Sequence, residues 1–219
     1  GSHADLNANF SNGKDFATGN TITVNNSFTN GHGYVCAGVV GAKGNNGIGV
    51  AGVCWDVSII PFNLKDFSSE SFKAFFKYLN DNDIKIASCS STTSVTEKTI
   101  IDAFESAVSD YKGLLVCSAG NENVNNDTAS GTRIPSDLSC KNVIAVGGCT
   151  ASDTKWSGSN YGAKTVDLFA PAQNVYTVNI NGGYGGATGT SMAAPYVAGI
   201  LGLMMTANTN LDAISAKAI

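Results

Sequence analysis

The sequence predicts an α/β fold, a three-layer sandwich with a mainly parallel central sheet and helices on both faces. Three observations carry that prediction. Short apolar runs of strand length alternate with helical patterns of ten or more residues, the arrangement of successive βαβ units. The runs GLLVCS (113–118) and VIAVG (143–147) are continuously apolar, as in strands covered on both faces. A stretch near the C-terminus is helical and apolar nearly all round, so it too must be buried. With 219 residues, no internal repeat and no linker, one domain is expected.

The first thirty residues are rich in Asn, Gly, Thr and Ser and read as loop with short extended pieces. Val35 to Gly41 is a compact small-residue helix, followed by the loop Gly44-Asn45-Asn46-Gly47. Val57 to Pro61 reads as a short apolar strand. Ser68 to Asn80 carries Phe72, Phe75, Phe76 and Leu79 at i, i+3, i+4 and i+7, an amphipathic helix. Ile84 to Cys89 is a strand, and Ser94 to Tyr111 a helix with Ile100, Phe104, Ala107, Val108 and Tyr111 on one face. Two buried strands follow at 113–118 and 143–147, then Val166 to Phe169 and Val175 to Asn179. The last helix starts at about Ser191 and runs to Met205, with Pro195 tolerable only in its first turn. In such folds, sites gather at the carboxyl ends of the strands.

Composition narrows the function classes. A chain that is 43% hydrophobic and 14% charged is globular rather than disordered. A net charge of −4 with no Lys/Arg cluster argues against a nucleic-acid surface. The longest apolar stretch, Ala193 to Met205, is too short and too rich in Gly and Ala to be expected to span a membrane. No signal peptide is visible, and Gly1-Ser2-His3 resembles a cloning remnant as much as native sequence. The six cysteines have no CxxC spacing and no nearby His, which disfavours zinc. Cys36, Cys54, Cys89 and Cys117 sit in apolar runs and read as small buried hydrophobes; one or two disulfides remain open by count.

Three stretches could carry chemistry. GATGTSMAAP sets Ser191 at a helix start, where unpaired N–H groups and the helix dipole favour negative charge. An N-cap serine would give the same pattern. His32 lies between glycines in NGHGYVCAG at another helix start, where it is either a base or a surface histidine. LLVCSAGNEN empties a buried strand into Asn121, either a turn residue or a side-chain amide able to donate to an oxyanion.

Taken together, GHG, SAGNEN and GTSMAAP in that order resemble the subtilisin-like serine peptidase family. The resemblance also covers His3-Ala4-Asp5-Leu6, GNNGIGVAGV, IKIASCS, IAVGG and DLFAPA, and so runs nearly end to end. It implies the subtilisin-like version of the predicted sandwich, with a cleft for an extended polypeptide substrate. It makes Ser191 the nucleophile, His32 the general base and Asn121 the oxyanion-hole amide. It places Ser90, Ser91 and Thr92, with Ser118, Ala119 and Gly120, along the substrate. The peptide is expected to pair antiparallel with the 90–92 edge, by β-augmentation. The resemblance also implies a cis Ile134–Pro135 bond. No cofactor is expected for catalysis. A structural calcium is implied at Asn46, the carbonyls of Gly44, Ile48 and Val50, and Asp5, with a tight glycine turn free of any ion as the alternative. A secreted monomer with no nucleic-acid or membrane partner is expected.

The chain departs from the family pattern in three places. The third triad member, an aspartate ending an apolar first strand, holds the imidazole in its working tautomer. In the family it stands shortly before the segment matching His3 to Leu6, so this chain is expected to lack it, along with the C-terminal end of the domain. Only Asp5 and Asp15 lie early enough to substitute, and neither follows an apolar strand. The expectation is therefore a fragment, a split form or a degenerate homologue, with very weak turnover. A catalytically silent peptide-binding module is the rival reading. Tyr34 stands where the family has threonine, and Ser91, Thr92 and Thr93 replace glycines beside the first specificity pocket, which should narrow its wall.

Overall fold

A computed structural model describes residues 3–23 and 31–219; residues 24–30 of the expected N-terminal loop lie outside that range. Its centre is a parallel sheet of β4 (Ile86–Cys89), β6 (Leu114–Ser118), β8 (Val143–Cys149) and β9 (Leu168–Pro171), in the order β4-β6-β8-β9. Helices cover both faces, as the continuous apolar runs require. Leu115, Cys117 and Val143 face one cluster with Phe72, Phe76 and Leu79 of α2 (Ser69–Asp81) and Phe104, Ala107 and Val108 of α3 (Lys98–Ser109). Leu114, Val116, Ile144 and Val146 face the other. There they meet Ala193, Ala194, Val197 and Leu201 of α4 (Thr190–Ala207) and Ala213 and Ala216 of α5 (Ala213–Lys217).

Smaller units flank this core. β1 (Gly13–Asp15) pairs with β2 (Thr21–Ile22) and with β3 (Phe62–Asn63) in a sheet separate from the central one. β5 (Thr93–Val95) pairs antiparallel with β7 (Thr132–Ile134), and β10 (Val175–Val178) with β11 (Tyr184–Ala187). α1 (Gly31–Gly41) packs on α4 and β10. Gly38 permits the close approach to β10, because a Cβ there would meet Thr177 Oγ1 and lie 2.6 Å from Val178 Cγ2.

Several expectations need correction. Val57 to Pro61 is not a strand: Ile59 makes a single bridge to Phe10, and regular pairing begins at Phe62. The helix expected from Ser94 starts at Lys98, because Thr93, Ser94 and Val95 form β5 instead. His3, in the Gly-Ser-His start, is built into the fold. It is 2% exposed, donates from Nε2 to the Gly183 carbonyl at 3.0 Å and accepts from Asp5 N–H at Nδ1. α4, at 18 residues, is long and apolar enough to cross a membrane by length and composition, although much of it is buried against the sheet. All six cysteines are free thiols. Ile134–Pro135 is cis, as expected.

Candidate active site

Gly189, with φ of 148°, occupies the N-cap position of α4 and has no side chain of its own to cap it. Ser191 is therefore not the cap. It is the second helical residue, half-buried, in the turn whose N–H groups have no intrahelical acceptor. Its hydroxyl donates to the Ser90 carbonyl at 3.3 Å, and Ser90 Oγ donates back to the Ser191 carbonyl at 2.9 Å. This reciprocal pair fastens the chain leaving β4 to the start of α4.

Asn121 arrives from the end of β6. Its Oδ1 accepts from Thr190 N–H at 2.8 Å and from Thr190 Oγ1 at 2.9 Å, while Gly120 N–H donates to the same hydroxyl at 3.2 Å. With its oxygen committed, the exposed side chain keeps its NH2 as the end able to donate. The turn reading fails, since the positive φ values fall on Gly120 (110°) and Asn123 (55°) rather than on Asn121.

His32 is the second residue of α1 and is exposed. Cys36, one turn further on the same face, donates from Sγ to the Ser191 carbonyl at 3.4 Å. The face of α1 that carries His32 is thus turned toward the first turn of α4. Burial pushes the Cys36 thiol up to about 11, so it stays neutral in this position. Tyr34, which stands where the family has threonine, fits into the packing of α1. It is buried and stacks on Phe10 at 5.9 Å between ring centres, filling a small core beside Leu6 and Val178.

The expected substrate segments divide by burial. Ser90, Ser91 and Thr92 lie between β4 and β5, outside any strand pairing, with Ser91 exposed. Ser118, Ala119 and Gly120 are buried, and the Ala119 carbonyl already accepts from Asn126 and Asn160 at 3.0 and 3.1 Å. They form the floor between Asn121 and the sheet.

Asp5 sits away from these residues, in the loop expected to hold an ion. Its carboxylate accepts from Asn46 Nδ2 at 2.8 Å and from Val50 N–H at 2.9 Å, and Asn46 Oδ1 accepts from Ile48 N–H at 3.2 Å. Burial opposes ionisation of Asp5, but bonds from Val50, Asn46 and Tyr184 hold its carboxyl below the usual range. Gly44 is buried under Trp55, and Ile48 is exposed. Asp15 caps its own turn, accepting from Ala17 and Thr18 N–H and from Asn63. Both early carboxylates are thus engaged in their own loops.

The sequence did not single out Thr190, which anchors Asn121, although its place in Gly-Thr-Ser was visible. It also missed a clasp behind the loop that carries Asn121. Asn160 donates to Glu122 Oε2 at 2.7 Å and accepts from Glu122 N–H at 2.9 Å, and Arg133 Nε approaches the same carboxylate at 3.5 Å.

A family model for the subtilase family matches residues 1–219. The chain is 32% identical to thermitase of Thermoactinomyces vulgaris over 98% of its own length and 74% of that protein. It is 32% identical to the major intracellular serine protease of Bacillus subtilis (strain 168) over 93% of its length, and spans only 64% of that relative. The crystal structure of a cold-adapted subtilisin-like serine proteinase superposes with a TM-score of 0.79 and 25% identity, covering 99% of this chain and 75% of that one. The helix that carries Ser191, the anchored amide and the parallel sheet therefore belong to a known lineage: this chain is a member of the subtilase family.

Proposed function

We propose that the protein is a serine endopeptidase that cleaves polypeptides through an acyl-enzyme on Ser191. The observation that carries this reading is the Thr190–Asn121 latch, which sets a donor amide beside the first turn of α4, where Ser191 stands. Ser191 Oγ attacks the scissile carbonyl while His32 takes its proton. The Asn121 NH2 and the Ser191 N–H then hold the oxyanion, in a field already made favourable by the helix N-terminus. His32 returns the proton to the leaving amine, and water releases the acyl group by the reverse sequence. The substrate lies extended along Ser90, Ser91 and Thr92, whose backbone is not used by any strand of the fold.

Asp5 and Asp15 do not supply the orienting carboxylate, because each is bonded elsewhere. Low turnover by this 219-residue chain is proposed on that ground. A fluorophosphonate probe separates an enzyme from a silent binding module. Labelling that Ser191→Ala and His32→Ala both abolish supports the peptidase; no labelling of the folded wild type favours the binding module.

Calcium binding is proposed only for a rearranged 44–50 loop. In the folded chain, Asn46 turns its NH2 rather than its oxygen toward Asp5, and both carboxylate oxygens accept N–H groups. The oxygens present do not converge as a hard cation needs, so no catalytic step involves the ion. A rise in Tm with calcium chloride over EDTA, lost in Asp5→Asn, supports the site, and an unchanged Tm removes it. A monomer acting outside the cell remains our reading of the family likeness. The six free thiols weigh against the extracellular half of it, and one relative is named as intracellular. Fractionation of the producing cells decides the compartment.

A further inference from the structure

We propose that Arg133 determines the specificity of this site and selects an acidic side chain on the residue whose carbonyl Ser191 attacks. The inference deepens the peptidase reading and rests on it for the placement of the substrate.

Arg133 lies between the two segments that would flank the substrate. Within β7 it pairs with Ser94 of β5, the strand that follows Ser90, Ser91 and Thr92 directly. Its side chain runs the other way from Ile134, which is wholly buried in the α2–α3 core. That direction leads to Glu122, the residue after the oxyanion amide, with Nε 3.5 Å from Oε2. Glu122 Oε2 in turn tucks under Gly120, 2.8 Å from where a Cβ would stand. The Arg133 backbone is therefore tied to Ser94 of β5, while its guanidinium reaches the Glu122 carboxylate that lies against Gly120.

It is also incompletely paired. The Arg133 side chain is only 11% exposed, yet its Nη1 is buried with no hydrogen-bond partner. Glu122 is 58% exposed and meets Arg133 at a single long contact rather than as a two-pronged pair. The other nearby acid, Asp137, is already occupied by Arg133 N–H at 3.0 Å, Asn126 at 2.9 Å and Ser136 at 3.1 Å. A buried guanidinium donor without an acceptor is costly and uncommon. Guanidinium groups match carboxylates in geometry and bind them through paired N–H donors. A substrate Asp or Glu side chain entering between Ser91 and Gly120 would supply the missing acceptor. An aromatic or aliphatic side chain there would leave it orphaned, and a lysine would be repelled.

The test uses peptides that report binding independently of turnover. N-acetyl tetrapeptides differing only in a C-terminal Glu, Gln, Phe or Lys are titrated calorimetrically into the wild type, Arg133→Ala and Glu122→Gln. The Glu peptide is expected to bind about tenfold more tightly than the Gln and Phe peptides, the isosteric Gln isolating the charge. Arg133→Ala should erase that ranking, and Glu122→Gln, which removes the competing carboxylate, should sharpen it. Equal binding of Glu and Phe peptides, an unchanged ranking in Arg133→Ala, or no binding of any peptide overturns the proposal. Should Arg133→Ala fail to fold, an unaltered or weakened preference in Glu122→Gln overturns it equally. If the ranking holds but no Ser191-dependent hydrolysis is found, the endopeptidase reading fails and the role of Arg133 stands. If Phe substrates are cleaved as well as Glu substrates, the peptidase stands and Arg133 loses its role.

Discussion

Asn121 illustrates how one side chain serves two ends at once. Its oxygen fixes Thr190, and through it the first turn of α4, while its nitrogen is left for the oxyanion contact proposed above. Asn121→Ala should therefore lower kcat by about 10²–10³, a range established on a subtilisin rather than deduced from this geometry. Because the same change releases Thr190, Tm should also fall. Asn121→Asp separates the two effects, since it keeps an acceptor for Thr190 but removes the donor. Tm near the wild type with kcat still reduced is the expected outcome, and a full return of kcat would deny Asn121 its oxyanion role. Asp5 gives a residue-scale prediction in pH. Its folded pKa is depressed below the ordinary 3.8, so it contributes stability above that value. That contribution is lost as the pH falls through the lower folded value. Asp5→Asn, which leaves the Val50 and Asn46 donors poorly matched, should cost about 1–3 kcal/mol at neutral pH. It should also flatten the acid limb of the stability curve. An acid-unfolding profile superimposable on the wild type would show that the loop does not depend on this carboxylate.

At the scale of elements, the distances between α1, α4 and β10 are set by glycine. Gly38 faces Val178 and Thr177 on β10, and Gly199 of α4 brings its backbone to Val53 and the Val40 carbonyl, with 2.6 Å and 3.1 Å from a Cβ position. Gly38→Ala gains about 1 kcal/mol in helix propensity, but overpacking costs about 1–3 kcal/mol where neighbours cannot rotate away. Thr177 and Val178 are β-branched and stiff at χ1, so the cost should prevail. A Tm decrease of a few degrees by calorimetry is expected, at about 2–4 °C per kcal/mol for a chain of this size; a rise would mean that α1 shifts freely. What the sequence made legible follows the same packing logic. The Phe72-Phe75-Phe76-Leu79 stripe and the continuous runs of β6 and β8 each bury a whole face, so period and length showed them directly. β7, β11 and α5 escaped notice because they have three, four and five residues, too few to show a period. The Val57 to Pro61 reading failed because, among the described residues, this apolar run has only Phe10 for a bridging neighbour and no strand to join. Ser191, His32 and Asn121 were readable as motifs, whereas Arg133 lies on a three-residue strand whose pairing only the folded chain reveals.

Across the whole molecule, the helices that carry His32 and Ser191 are not held equally. α4 is built into the main core, its Ala193, Ala194, Val197 and Leu201 packed on β6 and β8, whose inward residues are almost wholly buried. α1 rests on two satellite clusters. One joins Tyr34 and Ala37 to Leu6 and Val178, and the other joins Cys36 and Val39 to Val175 and Met192. Its supports are thus α4 on one side and, on the other, the segment around Leu6 and the β10–β11 hairpin, which belong to no part of the central sheet. An isolated two-stranded hairpin is marginal by itself, and regions with few buried apolar contacts open before the rest. The His32 side of the site should therefore open locally while the Ser191 side opens only with global unfolding. Native-state hydrogen exchange over a series of low urea concentrations checks this. Amides of β6 and β8 should exchange most slowly and with the full urea dependence of unfolding, while those of α1, β10 and β11 exchange faster and with weak dependence. Limited proteolysis should first cut the exposed tip at Asn181–Gly182. Exchange of α1 with the same protection and urea slope as β6 would show a single cooperative unit. In that case the geometry between His32 and Ser191 could be lost only by unfolding the whole domain.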